Sequence, residues 1–254
     1  MTRLEARGLS FGYGGTPVGE GIDLALSGGE IVCLLGPNGG GKTTLFRTLL
    51  GVLPAIAGEV RAAGQPLSRW SRRELARLLG YVPQAHAGLF AFTVEDVVLM
   101  GRTARRGLFA APSRRDHEAA RSAMARLGID RLAARVYTQI SGGERQLTLI
   151  ARALAQEVEA LILDEPTASL DFGNQLRVLS EVRRLRDAGI GVLMSTHQPE
   201  HALEVADRIA LLKDGRVVAQ GLPHETATPE RLAALYGADI EAVAARLSPS
   251  GRRP

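Results

Sequence analysis

The chain has 254 residues, 45% of them apolar and 23% charged, which is ordinary for a globular protein able to bury the core of one large domain. A formal charge of +4 and a pI near 9.7 permit a membrane-surface or nucleic-acid partner without requiring one. No apolar run approaches the ~20 residues that span a bilayer, and the N-terminus MTRLEARGLSF has no signal-peptide core, so the chain is expected to stay in the cytoplasm.

In chain order, Phe11-Gly-Tyr-Gly-Gly15 reads as a turn. Residues Ile22 to Leu26 then alternate apolar and polar like a strand, and Gly28-Gly29 turns the chain into a second, fully apolar strand, Ile31 to Leu35. Cys33, the only cysteine, sits inside that strand and reads as a small buried hydrophobe, consistent with a reducing compartment. The run Gly36-Pro-Asn-Gly-Gly-Gly-Lys-Thr-Thr44 follows, and Leu45 to Leu50 has helical character. Gly36, Gly41, Lys42 and Thr43 occupy the fixed positions of G-x-x-x-x-G-K-[ST]. Strand, glycine loop and helix together aim backbone N–H groups and a helix N-terminus at one anion. Lys42 is placed to reach the β- and γ-phosphates, and the Thr43 hydroxyl to ligate Mg²⁺. The setting predicts a nucleoside triphosphate site.

Lysine usage supports the same reading. Of 31 basic residues only Lys42 and Lys213 are lysines. A composition so biased towards arginine keeps lysine where a compact ammonium on a flexible stem is needed.

Glu59 to Arg61 reads as a strand, and Ser71-x-x-Glu74 as a capping box opening a helix. Trp70, among Ser and Arg, reads as surface packing. Gly80 to Gln84 is a short strand leading into a polar hinge. From Ala85 to about Thr138 the texture is helical, with a cap at Thr93-x-x-Asp96 and a helix over Arg114 to Leu127, so 85–138 is expected to be an inserted helical lobe. The basic patch Arg102, Arg105, Arg106, Arg114 and Arg115 reads as a solvated loop.

The stretch Gln139-Ile-Ser-Gly-Gly-Glu-Arg-Gln146 places Ser141-Gly142-Gly143 at the start of a helix running to Gln156, a second helix N-terminus suited to phosphate. Leu161 to Asp164 is an apolar strand ending in two carboxylates, expected to lie beside the P-loop strand. Asp164 is assigned to Mg²⁺, and Glu165 to polarising the attacking water. A helix from about Gly173 to Ala188, strands at Gly191 to Ser195, Ile209 to Leu212 and Val217 to Ala219, and an N-cap at Thr228-Pro229-Glu230 follow. The end, 241–254, reads as a short tail. His197-x-x-x-His201 has the spacing of a metal pair, but Pro199 between them argues against one helical face.

Taken together, these motifs resemble the ATPase subunits of ABC transporters over essentially the whole chain. The resemblance implies an α/β fold: a P-loop NTPase core with an N-terminal antiparallel β subdomain (1–84 and 139–240) and the inserted helical lobe. It implies that the loop Gly36, Pro37, Asn38, Gly39, Gly40, Gly41, Lys42, Thr43 and Thr44 holds ATP with Mg²⁺, and that Tyr13 stacks on adenine. Gln84 matches a hinge glutamine that senses Mg²⁺ and contacts the membrane partner. Ser141, Gly142 and Gly143 match the signature that contacts the γ-phosphate held by the opposite protomer. Asp171, in Ser169-Leu170-Asp171, matches a loop communicating across the dimer, and His197 a γ-phosphate contact. Ile140 and Glu144 depart mildly from the commonest signature residues, and no loss of activity is expected from them.

One P-loop and one signature per chain imply a homodimer of ATPase subunits. The implied partners are a transmembrane permease dimer and, indirectly, a periplasmic or surface substrate-binding protein, with no nucleic acid. The apolar segment Gly88 to Thr93 is the expected docking loop for the permease, at the cytoplasmic face of the cell membrane. Val97 to Arg102, Leu170 to Gln175 and His197 to Ala202 are similar to importers of iron–siderophore, haem and cobalamin complexes, a group with molybdate and tungstate relatives. An iron-chelate importer is the favoured reading; a soluble ABC ATPase, such as one serving iron–sulfur assembly, and an exporter subunit stay open.

Overall fold

The computed structural model describes residues 1–84, 91–106, 110–168 and 170–247. Its elements, in order, are β1 (Thr2–Tyr13), β2 (Thr16–Ser27), β3 (Ile31–Leu35), α1 (Lys42–Leu49), β4 (Ala57–Ala62), β5 (Gln65–Pro66), α2 (Arg72–Leu78) and β6 (Leu79–Val82). Then come α3 (Val94–Leu99), α4 (Arg114–Arg126), α5 (Gly142–Ala155), β7 (Ala160–Asp164), α6 (Phe172–Asp187), β8 (Gly191–Thr196) and α7 (Pro199–Val205). The chain continues through β9 (Arg208–Lys213), β10 (Arg216–Gly221), α8 (Pro223–Thr226), α9 (Pro229–Tyr236) and α10 (Ile240–Leu247).

Alternation along β1 and β2 buries Leu4, Ala6, Leu9 and Phe11 with Ile22, Leu24 and Leu26. These strands pair antiparallel and join β4 and β5 in a sheet of order β2-β1-β4-β5. The second sheet runs β10-β9-β3-β8-β7-β6; β9, β3, β8, β7 and β6 are mutually parallel, and β10 pairs antiparallel on the edge. Every residue of β3, β7 and β8 is buried, as expected for parallel strands covered on both faces.

The period of two divides these strands between two apolar clusters. Val32, Leu34, Ile162 and Leu193 face the antiparallel sheet and Phe46 and Leu49 of α1. Ile31, Cys33, Leu35, Leu163 and Met194 share the other cluster with Val98 of α3, Met124 of α4 and Ile150 of α5. The helical lobe and the parallel sheet therefore have a continuous core.

Helix starts follow side-chain chemistry. Ser71, Thr93, Ser113 and Ser141 each cap a helix, with Glu74, Asp96, Asp116 and Glu144 completing reciprocal capping boxes. Trp70 packs on the antiparallel sheet and donates its indole N–H to the Ala62 carbonyl at 3.2 Å. The terminal helix α10 occupies the first part of the segment read from sequence as tail. Arg246 ties it to Glu200 of α7 at 2.6 Å. Residues 248–254 lie outside the described residues, as do Ser169 and most of the apolar segment 88–93; of that segment's aromatics, Phe92 is described and exposed.

Two expectations need correction. The strand ending in Asp164 is not next to the P-loop strand: β8 lies between β3 and β7. The basic patch is not uniformly solvated, because Arg102 is only 3% exposed. Its guanidinium donates to Asp116 Oδ1 at 2.9 Å, the Ala155 carbonyl at 2.7 Å and Glu157 Oε2 at 2.7 Å. Arg105 adds bonds to the carbonyls of Gln156 and Glu157. These partners lie far along the chain, and tertiary pairing is what makes burial of the charge tolerable. Arg114 and Arg115 are exposed.

Candidate active site

The C-terminal ends of β3, β7 and β8 bring the acidic and phosphate-loop residues together, as ligand sites of parallel sheets require. From β3 the chain enters the loop at Gly36, where a Cβ would lie 2.4 Å from the Leu212 carbonyl, so only glycine fits. Gly41 closes the loop with φ +91°, in the left-handed region, and starts α1. No side chain caps α1 and its first turn has no acid, so its free N–H groups face the loop formed by Pro37, Asn38, Gly39 and Gly40. That is an anion cradle by geometry and charge.

Lys42, 5% exposed, donates to the carbonyls of Gly36 at 2.8 Å and Pro37 at 3.0 Å, and lies 3.5 Å from Glu165 Oε1. Its neighbour Thr43 donates its hydroxyl to Asp164 Oδ2 at 2.6 Å. Tyr13, at the end of β1, lies across α1 with its hydroxyl 3.4 Å from Thr44 Oγ1. The Thr44 hydroxyl, with help from the Arg47 charge, pulls the Tyr13 phenol below its usual pKa.

Glu165 has φ +48°, unusual for a residue with a side chain and a feature that clusters at functional sites. Its carboxylate sits 3.1 Å from His197 Nδ1. His197 follows β8 directly, and His201, on α7, turns instead to Thr167 Oγ1 at 3.1 Å, so the two histidines serve different partners. Among the described residues no group of three or more His, Cys, Asp or Glu converges to hold a metal. The Thr43 hydroxyl beside the Asp164 carboxylate is instead an oxygen pair suited to Mg²⁺ that keeps water and phosphate as its other ligands. The residues fit that ion, which would neutralise phosphate charge there.

Two residues of this site escaped the sequence reading. Ser195, fully buried in β8, donates to Asp164 Oδ1 at 2.7 Å and accepts the Glu165 N–H at 2.9 Å. A hydroxyl ending an apolar strand was the only signal. Tyr81 of β6 also points its hydroxyl at Asp164 Oδ2, at 3.4 Å, and burial together with the Asp164 charge raises its pKa to about 12.

The remaining candidates stand apart. Gln84 is exposed beyond β6. Ser141 caps α5, accepting the Glu144 N–H at 3.2 Å, while Glu144 accepts the Ser141 N–H at 3.0 Å. Asp171 caps α6 and accepts from Asn174 N and Nδ2, both at 2.8 Å. These two helix starts are neighbours: a Cβ on Gly143 would lie 3.3 Å from Leu170 Cδ2, and Gly142 adjoins it. Among the described residues no hydrogen bond or ion pair joins Ser141, Gly142, Gly143 or Asp171 to the P-loop.

A P-loop, a Thr–Asp oxygen pair, a strained Glu held by a His, and a separate Ser-Gly-Gly helix start together define an ATP-binding cassette. The family model described as "ABC transporter" matches residues 20–168, more than half of the chain. A Haemophilus influenzae protein named an uncharacterized ABC transporter ATP-binding protein is 46% identical over 92% of this chain and 89% of its own length. The hemin import ATP-binding protein HmuV of Streptomyces coelicolor is 42% identical over 93% of this chain and 84% of its own. Among solved structures, an inward-facing putative metal-chelate type ABC transporter superposes with a TM-score of 0.82 at 35% identity, covering 93% of this chain and 90% of that one. The chain belongs to the ABC transporter ATP-binding family. It is an ATPase.

Proposed function

We propose that two copies of this chain close on two ATP molecules and drive uptake of a metal chelate through a membrane permease. In each copy Lys42 and the loop from Gly36 to Thr44 bind the phosphates, Tyr13 stacks on adenine, and Thr43, Asp164 and Gln84 attend Mg²⁺. Glu165 polarises the attacking water, with His197 contacting both Glu165 and the γ-phosphate. Ser141, Gly142, Gly143 and Asp171 complete the site from the opposite copy. The reading rests on one arrangement: the water-polarising cluster is assembled within the chain, whereas the second phosphate-binding helix start has no link to it.

The work is done at a membrane through that permease; among the described residues of this chain no helix is long and apolar enough to cross one. We place it at the cytoplasmic face, against a permease fed by a substrate-binding protein. The cargo class is a metal chelate. An iron–siderophore belongs to that class, and the hemin-import relatives, with a cobalamin import ATP-binding protein of Halobacterium salinarum at 38% identity, favour a metal held in a tetrapyrrole-type ring. That last relative is longer, and this chain spans 59% of it.

The test is a pull-down of tagged chain from detergent-solubilised membranes, with partners identified by mass spectrometry. A polytopic permease with a chelate-binding protein is the expected result. Recovery of soluble partners alone would move the chain to the non-transport ATPases, such as those of iron–sulfur assembly.

A further inference from the structure

Helix α9 is firmly set against the core. Thr228 caps it, Pro229 opens its first turn, and Gly237, in the left-handed region at φ +64°, ends it. Leu232, Ala233 and Leu235 are buried, and Lys213 Nζ, at the end of β9, donates to the Ala234 carbonyl at 2.6 Å. The last residue of the helix is Tyr236, whose ring packs on the apolar cluster that includes Ala202 and Val205 of α7.

The Tyr236 hydroxyl is the informative atom. It is buried and, among the described residues, has no hydrogen-bond partner. Packing accounts for the ring, but phenylalanine would supply the same ring without an unpaired buried donor. Burial pushes the phenol pKa up, and the charges of Glu165 and Glu200 push it further, so the group keeps its proton and can donate to either carboxylate. Glu200 already has a partner, since Arg246 Nε donates to its Oε1 at 2.6 Å. Glu165 is held by His197 Nδ1, 3.1 Å from Oε2, and by Lys42 Nζ, 3.5 Å from Oε1. The second of these holds is temporary by design, because Lys42 is the side chain that phosphate claims. A triphosphate that takes the Lys42 ammonium strips Oε1 of Glu165 of its cation.

We infer that the Tyr236 hydroxyl is a reserve donor to Glu165, engaging the carboxylate directly or through one water once Lys42 turns to the phosphates. Its effect is to hold Glu165 in the orientation that polarises the attacking water. Tyr236 is thus a positioning residue that acts through Glu165, set in place by the otherwise remote helix α9. The inference rests on the role proposed for Glu165 and names what steadies that residue during turnover.

The experiment is Tyr236→Phe in the 254-residue chain, which keeps the ring and removes only the hydroxyl. Steady-state ATP hydrolysis should show kcat lowered by roughly 10-fold or more, with KM for ATP unchanged. The urea midpoint should stay at the wild-type value or rise, because a buried unpaired hydroxyl has been removed. In single turnovers of a Glu165→Gln background the same change should have no further effect, since the two residues act as one unit. Wild-type kcat in Tyr236→Phe, or a fall that adds in full to that of Glu165→Gln, overturns the inference and leaves the role of Glu165 standing. Wild-type turnover in Glu165→Gln alone overturns both.

Discussion

Ser195 donates its hydroxyl to Asp164 Oδ1 at 2.7 Å, joining the ends of two neighbouring parallel strands. Ser195 Oγ also accepts the Glu165 N–H, so one buried hydroxyl fixes the carboxylate proposed for Mg²⁺ and the backbone of the residue proposed to polarise water. Ser195→Ala leaves a buried donor and a buried acceptor unpaired. The expected loss is about 1–3 kcal/mol of stability, read by urea unfolding. A fall in kcat larger than the rise in KM for ATP should accompany it, because the site is loosened and the cradle is untouched.

Glu165→Gln should keep ATP affinity and lower turnover by roughly 10²-fold or more. It should also trap a dimer in ATP, visible by size-exclusion chromatography. Wild-type ATPase activity in this variant would remove Glu165 from its role. Lys42→Ala should fail earlier, at binding, and unchanged ATP affinity would sink the phosphate assignment.

The Glu144 carboxylate sits at the N-terminus of α5, held below its usual pKa chiefly by the Ser141 N–H. Its charge suits the helix but would repel a phosphate presented by the proposed opposite copy. Glu144→Gln keeps an acceptor for that N–H and removes the repulsion. In a Glu165→Gln background, ATP-driven dimerisation should tighten by about 2–5-fold, measured by analytical ultracentrifugation.

Arg102 and Asp116 make the fold sensitive to acid. The Ser113 hydroxyl and the Arg102 guanidinium hold the Asp116 carboxyl well below the usual carboxylate range. A carboxylate depressed in the folded state stabilises fully above its unfolded value near ~4, and loses that contribution as pH falls through the folded one. Wild-type protein should therefore lose stability progressively below about pH 4, and the loss should be shallower in Arg102→Ala. At neutral pH that variant should already be weaker by about 3–5 kcal/mol, since the buried Asp116 loses its counterion, whereas the exposed Glu157 keeps Arg105. Urea midpoints across the pH series check both statements.

Local chemistry was legible in the sequence and convergence was not. The capping boxes at Ser71 and Thr93, the strand Ile31–Leu35 and the turn at Gly28–Gly29 are written in neighbouring residues, and the structure has them. The role of Ser195 depends on β8 lying between β3 and β7, a strand order that no local pattern encodes. Arg102 reads as solvated because its neighbours are basic, whereas its partners arrive from 14 and 55 residues away. The antiparallel sheet was half visible: Ile22 to Leu26 alternates cleanly, while β1 carries register shifts that break its period. The final helix α10 was missed although Ile240, Val243 and Leu247 recur at helical spacing, because the segment reads as a short tail and none of its residues is buried.

The apolar cluster that runs from β3, β7 and β8 into α3, α4 and α5 limits how the two halves of the chain can respond to a nucleotide. A lobe that shares a buried apolar cluster with its core resists swinging like a door, because opening that seam would expose the cluster to water. It can slide by small repacking steps. Any movement of the lobe on nucleotide binding is thus expected to be a short shear rather than a wide swing.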